Sequence, residues 1–215
     1  FRLKSVVFGS GLEKLGNSAF RNCIGLESVN LARSTSLEKI ESYAFSFNFD
    51  LKSIELPFGL KEIMHSAFAQ THITNVYIPS TVTSVGRNSF WGNLYLKSVE
   101  IGQGEEIYFD QQPFTDCEVL QSMTILSRNF TSLGIDIEKN SPKFKTITFS
   151  KSVKYIDIKA GLFSSIYVCN ASLCGCANGY ENMLPKHSPL FECTPCQPGY
   201  ENSVSPSHGL CTPCR

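Results

Sequence analysis

The sequence predicts a β-rich solenoid, a curved stack of about seven to eight short coils (residues 1–168), followed by a small disulfide-rich, loop-rich module (residues 169–215). Three observations carry that prediction. An apolar pattern recurs with a period of about 23 residues, the mark of a repeat architecture. Inside each copy, apolar and polar residues alternate over a few positions, and in several copies Gly or Pro follows, as in a short one-sided strand. Seven of the nine cysteines lie between Cys169 and Cys214, so the composition changes sharply where the repeats end.

The clearest copy is the third, residues 51–68, LKSIELPFGLKEIMHSAF, with Leu51, Ile54, Leu56, Leu60, Ile63, Ala67 and Phe68 in its apolar or small slots. The first copy fills the same slots with Leu3, Val6, Phe8, Leu12, Leu15, Ala19 and Phe20. The second uses Leu26, Val29 and Leu31, takes a two-residue insertion, and resumes at Leu37, Ile40, Ala44 and Phe45. The fourth has Ile73, Val76, Ile78, Val82, Val85, Ser89 and Phe90. The fifth, Leu96, Val99 and Ile101, is expected to loosen around GQGEE before recovering Phe114. The sixth, Leu120, Met123 and Ile125, is expected to lose its second half to an irregular insert over residues 127–143. The seventh has Phe144, Ile147, Phe149, Val153, Ile156 and Ala160, and a partial eighth has Phe163, Ile166 and Val168.

Each slot has a physical role. The alternating residues form a strand with one face inward. Pro57 and Pro79 end their strands because proline has no N–H to give a sheet ladder. The second apolar pair returns the chain to the core, and the Ala-Phe pair closes the coil with Phe at its centre. One coil cannot bury its own apolar side, so stability comes from neighbouring interfaces. Each buried Phe or Leu is worth roughly 1.5–3 kcal/mol.

The charge balance, 19 acidic against 19 basic residues, leaves no basic stripe to displace counterions from a phosphate backbone, so nucleic acid is not an expected partner. No run of about 18 apolar residues is present, so membrane association would come only through segments outside this chain. FRLKSVVFGS lacks a signal-peptide apolar region and opens inside a repeat, which reads as a fragment or mature domain of a longer protein. His65, His72, His187 and His208 sit in different settings without a nucleophile motif, and His65 is expected to be a solvated turn residue. No catalytic residue, cofactor or metal is therefore assigned. Glu105, Glu106 and Asp110 could hold calcium, but they read more simply as an exposed acidic loop.

The slots, extended by Gly16 and Gly86 and by Cys23 and Cys117, follow L-x-x-I-x-L-P-x-x-L-x-x-I-G-x-x-A-F-x-x-C. In that form they resemble the leucine-rich repeats of BspA-like bacterial surface proteins and of treponemes. The third copy departs from the pattern, with Met64 in the Gly slot and Thr71 in the Cys slot. The resemblance implies a curved parallel solenoid with an adhesive or ligand-binding role at the cell surface. Cys23 and Cys117 lie four coils apart, some ~19 Å, too far for a disulfide. Both are expected as small core residues.

The outward strand positions are the candidate binding face for a protein or glycan on a host or neighbouring cell. They are Ser5 and Val7, Ser28 and Asn30, Ser53 and Glu55, Asn75 and Tyr77, Ser98 and Glu100, Ser122 and Thr124, Thr146 and Thr148, and Ser165 and Tyr167. Tyr77 is the foremost of these, because an aromatic side chain offers contact area for little lost entropy. The insert over 127–143 is a second candidate. It carries a glycosylation triplet at Asn129, and another lies at Asn170.

The tail is itself duplicated. Cys176 opens CANGYEN and leads to CTPC at Cys193 and Cys196; Cys196 then opens CQPGYEN and leads to CTPC at Cys211 and Cys214. With Gly and Pro abundant and few apolar residues, such a segment needs staples. Disulfides fit a tandem extracellular module, and zinc fits C-x2-C-x14-C-x2-C from Cys193 to Cys214. The duplication favours disulfides, because the CxxC pairs belong to a repeating unit and not to one four-ligand cluster; zinc would also leave Cys169, Cys174 and Cys176 over. The pairing does not follow from the sequence. The units resemble growth-factor-receptor-like and ephrin-receptor-like cysteine-rich modules, which implies a stalk. Together these readings point to an extracellular recognition domain, part of a membrane-anchored surface protein. The alternative is the ectodomain of a signalling receptor, for example a receptor kinase.

Overall fold

A computed structural model of the chain describes residues 3–131, 141–144 and 146–149, together with the strand residues named below. In chain order the strands are β1 (Ser5–Val7), β2 (Ser28–Asn30), β3 (Lys39–Ile40), β4 (Ser53–Glu55), β5 (Glu62–Ile63), β6 (Asn75–Ile78), β7 (Ser84–Val85), β8 (Ser98–Ile101), β9 (Glu106–Phe109) and β10 (Ser122–Ile125). They continue with β11 (Asn129–Thr131), β12 (Thr146–Phe149), β13 (Tyr155–Asp157), β14 (Tyr167–Asn170), β15 (Leu173–Cys176), β16 (Tyr180–Asn182), β17 (Cys193–Pro195), β18 (Tyr200–Glu201) and β19 (Thr212–Pro213).

The second to seventh coils each contribute one strand to each of two layers, as in a parallel β-solenoid. The first layer runs β1-β2-β4 and then β6-β8-β10-β12-β14, every neighbouring pair within each run being parallel. The second runs β3-β5-β7-β9-β11-β13, also parallel, with a bridge from Leu15 to Ile40 extending it to the first coil. The first layer divides between β4 and β6. Three residues separate Asn48 from Leu51 and Asn93 from Leu96, but only two separate Thr71 from Ile73. The ladder crosses this step through His72 N–H to Leu51 O (3.0 Å) and Thr74 N–H to Lys52 O (3.3 Å).

The space between the layers is filled by the expected slots. Leu51, Leu60, Ile63, Ala67, Phe68, Ile73, Ile78, Val85 and Phe90 are fully buried. The closing phenylalanines form one continuous spine: Phe20–Phe45, Phe45–Phe68, Phe68–Phe90 and Phe90–Phe114 stack face to face with centroids 5.3–5.5 Å apart. Phe8 meets the start of this spine edge-on and Phe109 its far end at a tilt.

Among the described residues, a turn of left-handed residues flanks each Ala-Phe pair and its equivalents Ser89-Phe90 and Pro113-Phe114, and the slot pattern did not include it. Ser18, Tyr43, Ser66, Asn88 and Gln112 precede the pair, and Asn22, Phe47, Gln70 and Asp116 follow it, all at φ of 51° to 60°; Gly92 completes the set at 68°. Non-glycine residues there are strained by about 1–2 kcal/mol each. Hydrogen bonds to the next coil offset the strain, among them Tyr43 N–H to His65 O (3.1 Å), Phe45 N–H to Ala67 O (2.8 Å) and Phe47 N–H to Ala69 O (2.9 Å).

Three expectations are corrected. The fifth coil does not loosen: β9 spans Glu106–Phe109 with Ile107 and Phe109 buried. One extra residue before Phe109 carries the strand past the slot where it was sought. The sixth coil keeps its second strand, because Asn129, Phe130 and Thr131 pair in register with Glu106, Ile107 and Tyr108. The insert is thus partly β11; residues 132–140 lie outside the described residues. In the eighth copy Val168, not Ile166, pairs in register with Ile147, which brings Tyr167 and Cys169 into register with Thr146 and Thr148. Ser165 lies outside the described residues. β14 straddles the expected boundary at 168, and β15 joins the same sheet antiparallel.

In the tail, β16 pairs with β17 and β18 with β19, each antiparallel. The two pairs share one register: Tyr180 opposite Pro195 and Glu181 opposite Thr194, then Tyr200 opposite Pro213 and Glu201 opposite Thr212. The sequence duplication is therefore also a backbone duplication. Cys196, Cys211 and Cys214 lie outside the described residues.

Candidate ligand-binding face

The register turns the outward strand positions into two columns, with neighbouring coils about 4.8 Å apart. One column holds Ser5, Ser28 and Ser53, then Asn75, Ser98, Ser122, Thr146 and Tyr167; the other holds Val7, Asn30 and Glu55, then Tyr77, Glu100, Thr124, Thr148 and Cys169. All the face residues expected from the sequence and described here fall in these columns. Ser5, Val7, Ser28, Asn30, Ser53 and Glu55 lie on the three-stranded part, the others beyond the β4/β6 step.

Neighbouring residues in a column satisfy one another. Asn30 Nδ2 donates to Glu55 Oε2 (2.7 Å) and Ser98 Oγ donates to Asn75 Oδ1 (2.7 Å); outside the columns, Asn75 Nδ2 also donates to Oγ1 of its chain neighbour Thr74 (3.2 Å). Among the described residues of these columns, Tyr77 is the exposed aromatic, 43% accessible. Its phenol lies against Gly102 of the next coil: a methyl group there would stand 2.7 Å from the Tyr77 hydroxyl oxygen and 2.7 Å from Ser80 N. A bare glycine thus leaves the ring its place across the face.

The coil edge that follows each Ala-Phe pair carries a second exposed surface, which the sequence reading missed. Phe47–Phe49, Phe49–His72 and His72–Tyr95 form a chain of rings with centroids 6.4, 6.1 and 4.5 Å apart. Ile24, Phe49, Leu94 and Tyr95 are exposed along this edge. Ile24, Phe49, His72 and Leu94 each follow directly on Cys23, Asn48, Thr71 and Asn93, so one further slot in the repeat template would have revealed them. Burial holds the His72 imidazole below its ordinary pKa; Asp50 opposes that shift and Lys52 assists it.

Beneath this edge runs a buried polar ladder. Asn93 Nδ2 donates to Phe68 O (2.8 Å) and Phe90 O (2.7 Å), and its Oδ1 accepts from Thr71 Oγ1. Asn48 Nδ2 likewise donates to Phe20 O (2.7 Å) and Phe45 O (2.8 Å), but its Oδ1 has no partner. Cys117 fills the same slot, donating to Phe90 O (3.3 Å); burial pushes its thiol up to about 12. Cys23 and Cys117 are both free, as their separation required.

His65 is half-buried, not the solvated residue expected. Its Nδ1–H donates to Arg87 O (3.0 Å), which leaves Nε2 to accept from the Tyr43 hydroxyl (2.8 Å). Arg21 stands over the Tyr43 and Phe47 rings, at 5.3 and 5.2 Å. This chain of contacts ties four successive coils together. Of the acidic loop, Glu105 pairs with Arg128 (2.8 Å) and Asp110 Oδ1 accepts from Gln111 N–H (2.7 Å). Among the described residues no group of three or more His, Cys, Asp and Glu side chains converges as a metal site would need.

Parallel strands in two layers around a phenylalanine spine define a leucine-rich repeat solenoid. The profile of the BspA type leucine rich repeat region matches residues 1–97 and 38–167 in six copies, so the chain belongs to that family. Among solved structures, it is similar to a Treponema pallidum leucine-rich repeat protein (22% identity, TM-score 0.55, covering 69% of this chain and 74% of that one). A Bacteroides ovatus leucine-rich repeat protein matches at 18% identity and TM-score 0.52, covering 79% of this chain and 57% of that one. The pneumococcal vaccine antigen PcpA matches at 18% identity and TM-score 0.50, covering 73% of this chain and 42% of that one. At these identities the likeness concerns the fold. The chain spans little more than half the length of the Bacteroides protein and less than half that of the pneumococcal antigen. No curated protein sequence matches it.

Proposed function

We propose that this chain is a non-catalytic recognition domain of a cell-surface protein, and that the outward columns of the first sheet engage a protein or glycan on a neighbouring or host cell. The observation that carries this reading is Tyr77. It is an exposed aromatic held across Gly102, amid hydroxyl and amide groups, on strands whose inward residues are buried. Rigid aromatic anchors ringed by adaptable polar groups are how paratopes gain contact at small entropic loss. The family supports a binding role. The pneumococcal relative is described as a vaccine antigen, which agrees with surface display.

The test is saturable binding of the fluorescently labelled full chain to cultured epithelial cells, before and after the cells are treated with protease or with periodate. Loss of binding after protease identifies a protein ligand; loss after periodate identifies a glycan. Binding that does not saturate, or that survives both treatments, would overturn the proposal.

A further inference from the structure

The duplicated tail units begin at Cys176 and account for Cys176, Cys193, Cys196, Cys211 and Cys214. Two tail cysteines, Cys169 and Cys174, stand outside them. β14 and β15 form an antiparallel pair in which Cys169 is opposite Cys174, Val168 opposite Gly175, and Tyr167 opposite Cys176. Directly opposed residues of an antiparallel pair have Cα atoms about 4.5 or 5.5 Å apart. Both separations lie within the roughly 4.4–6.8 Å that a disulfide spans. Cys176, two positions further along, is diagonal to Cys169 at about 7–8 Å, beyond that range. Sequence bookkeeping and strand register thus single out the same two residues independently.

We infer that Cys169 and Cys174 form a cross-strand disulfide that fastens β15 onto the last parallel strand of the solenoid. β14 ends the row of parallel strands, and its outer edge would otherwise offer unpaired N–H and C=O groups to any passing strand. A repeat stack needs an atypical terminal element for this reason. β15 supplies it by reversing direction, and the bond keeps it in place. The loop closed is very short, so the bond constrains the unfolded chain little; its effect is to prevent β15 from peeling away. In forming the S–S bond, two thiols give up two protons and two electrons. A disulfide oxidant such as oxidised glutathione takes them and becomes two thiols. The inference does not depend on the recognition role, because the oxidant can be supplied in vitro.

The test is peptide mapping of the full chain after oxidation in a glutathione buffer, with free thiols blocked by N-ethylmaleimide. Chymotrypsin cleaves after Tyr167, Leu173 and Tyr180, so Cys169 falls in VCNASL and Cys174 in CGCANGY. The expected result is a VCNASL–CGCANGY link, lost on reduction, that survives Cys176→Ser and disappears in Cys174→Ser. Fragmentation of the wild-type linked peptide between Cys174 and Cys176 assigns the bond even where a variant does not fold. A maleimide on Cys169, or a link from it to any other cysteine, would overturn the inference. Failure here leaves the cell-binding result untouched, and the reverse holds too.

Discussion

Inward and outward positions on the first-sheet strands lie one residue apart, yet their chemistry is set by different demands. The inward middle column reads Val29, Ile54, Val76, Val99, Met123 and Ile147, all buried and all interchangeable in kind. The adjacent outward column reads Asn30, Glu55, Tyr77, Glu100, Thr124 and Thr148 and keeps no common character. Identical inward slots give each coil the same contacts above and below, so they set stability. Outward slots add only solvent-exposed contacts between coils, such as Asn30 to Glu55 and Ser98 to Asn75, and bury no apolar core, so they are freer to take up recognition. Strand alternation keeps the two roles apart.

The largest expected effect lies inward. Phe68→Ala opens the middle of the spine between Phe45 (5.4 Å) and Phe90 (5.3 Å). It should lower stability by about 3–5 kcal/mol in urea titration. Phe20 has the same slot but stands half-buried near the start of the stack, so Phe20→Ala should lower stability by roughly half as much. Equal losses would mean that neighbouring coils do not decide the value of a slot.

The polar ladder sharpens the comparison at smaller magnitude. Asn93→Ala removes two donated bonds and one accepted bond, whereas Asn48→Ala removes two donated bonds along with an orphaned oxygen. Asn93→Ala should therefore be the more destabilising by about 1 kcal/mol. Cys23→Thr tests the reason: the introduced hydroxyl would stand to Asn48 as the Thr71 hydroxyl stands to Asn93, and should stabilise by up to about 1 kcal/mol. A melting temperature that does not rise in Cys23→Thr counts against this account of the ladder.

The smallest effect depends on pH. His72 has a folded pKa below the ordinary 6.5 because of burial. The unfolded chain therefore takes up its proton first, and stability present above pH 6.5 is lost as pH falls towards the folded value. His72→Gln should show a smaller drop in melting temperature between pH 7.5 and pH 5 than the wild type, because it removes the group whose folded form resists protonation. Equal drops would refute the sign or the site.

Much of this fold could be read in the chain because apolar side chains at fixed spacing have only one way to be buried together. Leu51, Ile54, Leu56, Leu60, Ile63 and Phe68 occupy the core as expected. What escaped the reading was spacing that varies. One extra residue before Phe109 and a polar start at Asn129 hid β9 and β11, whose positions are set by pairing across coils. The left-handed turn residues were hidden for another reason. Tyr43 and Phe47 belong to types that disfavour positive φ, and backbone bonds to the following coil hold them there. His65 was misplaced because its partners, Tyr43 and Arg87, are about 22 residues away in sequence and one coil away in space. The outward columns were legible through period-two alternation, and the aromatic edge would have been visible with one more slot.

The separation of roles is tested most directly at Tyr77, where binding and stability can be measured on the same sample. With Tyr77→Ala, cell binding of the full chain should fall about tenfold, the loss of a modest hot spot, while the melting temperature stays that of the wild type. Unchanged binding would contradict the claim that the outward face of the first sheet carries recognition.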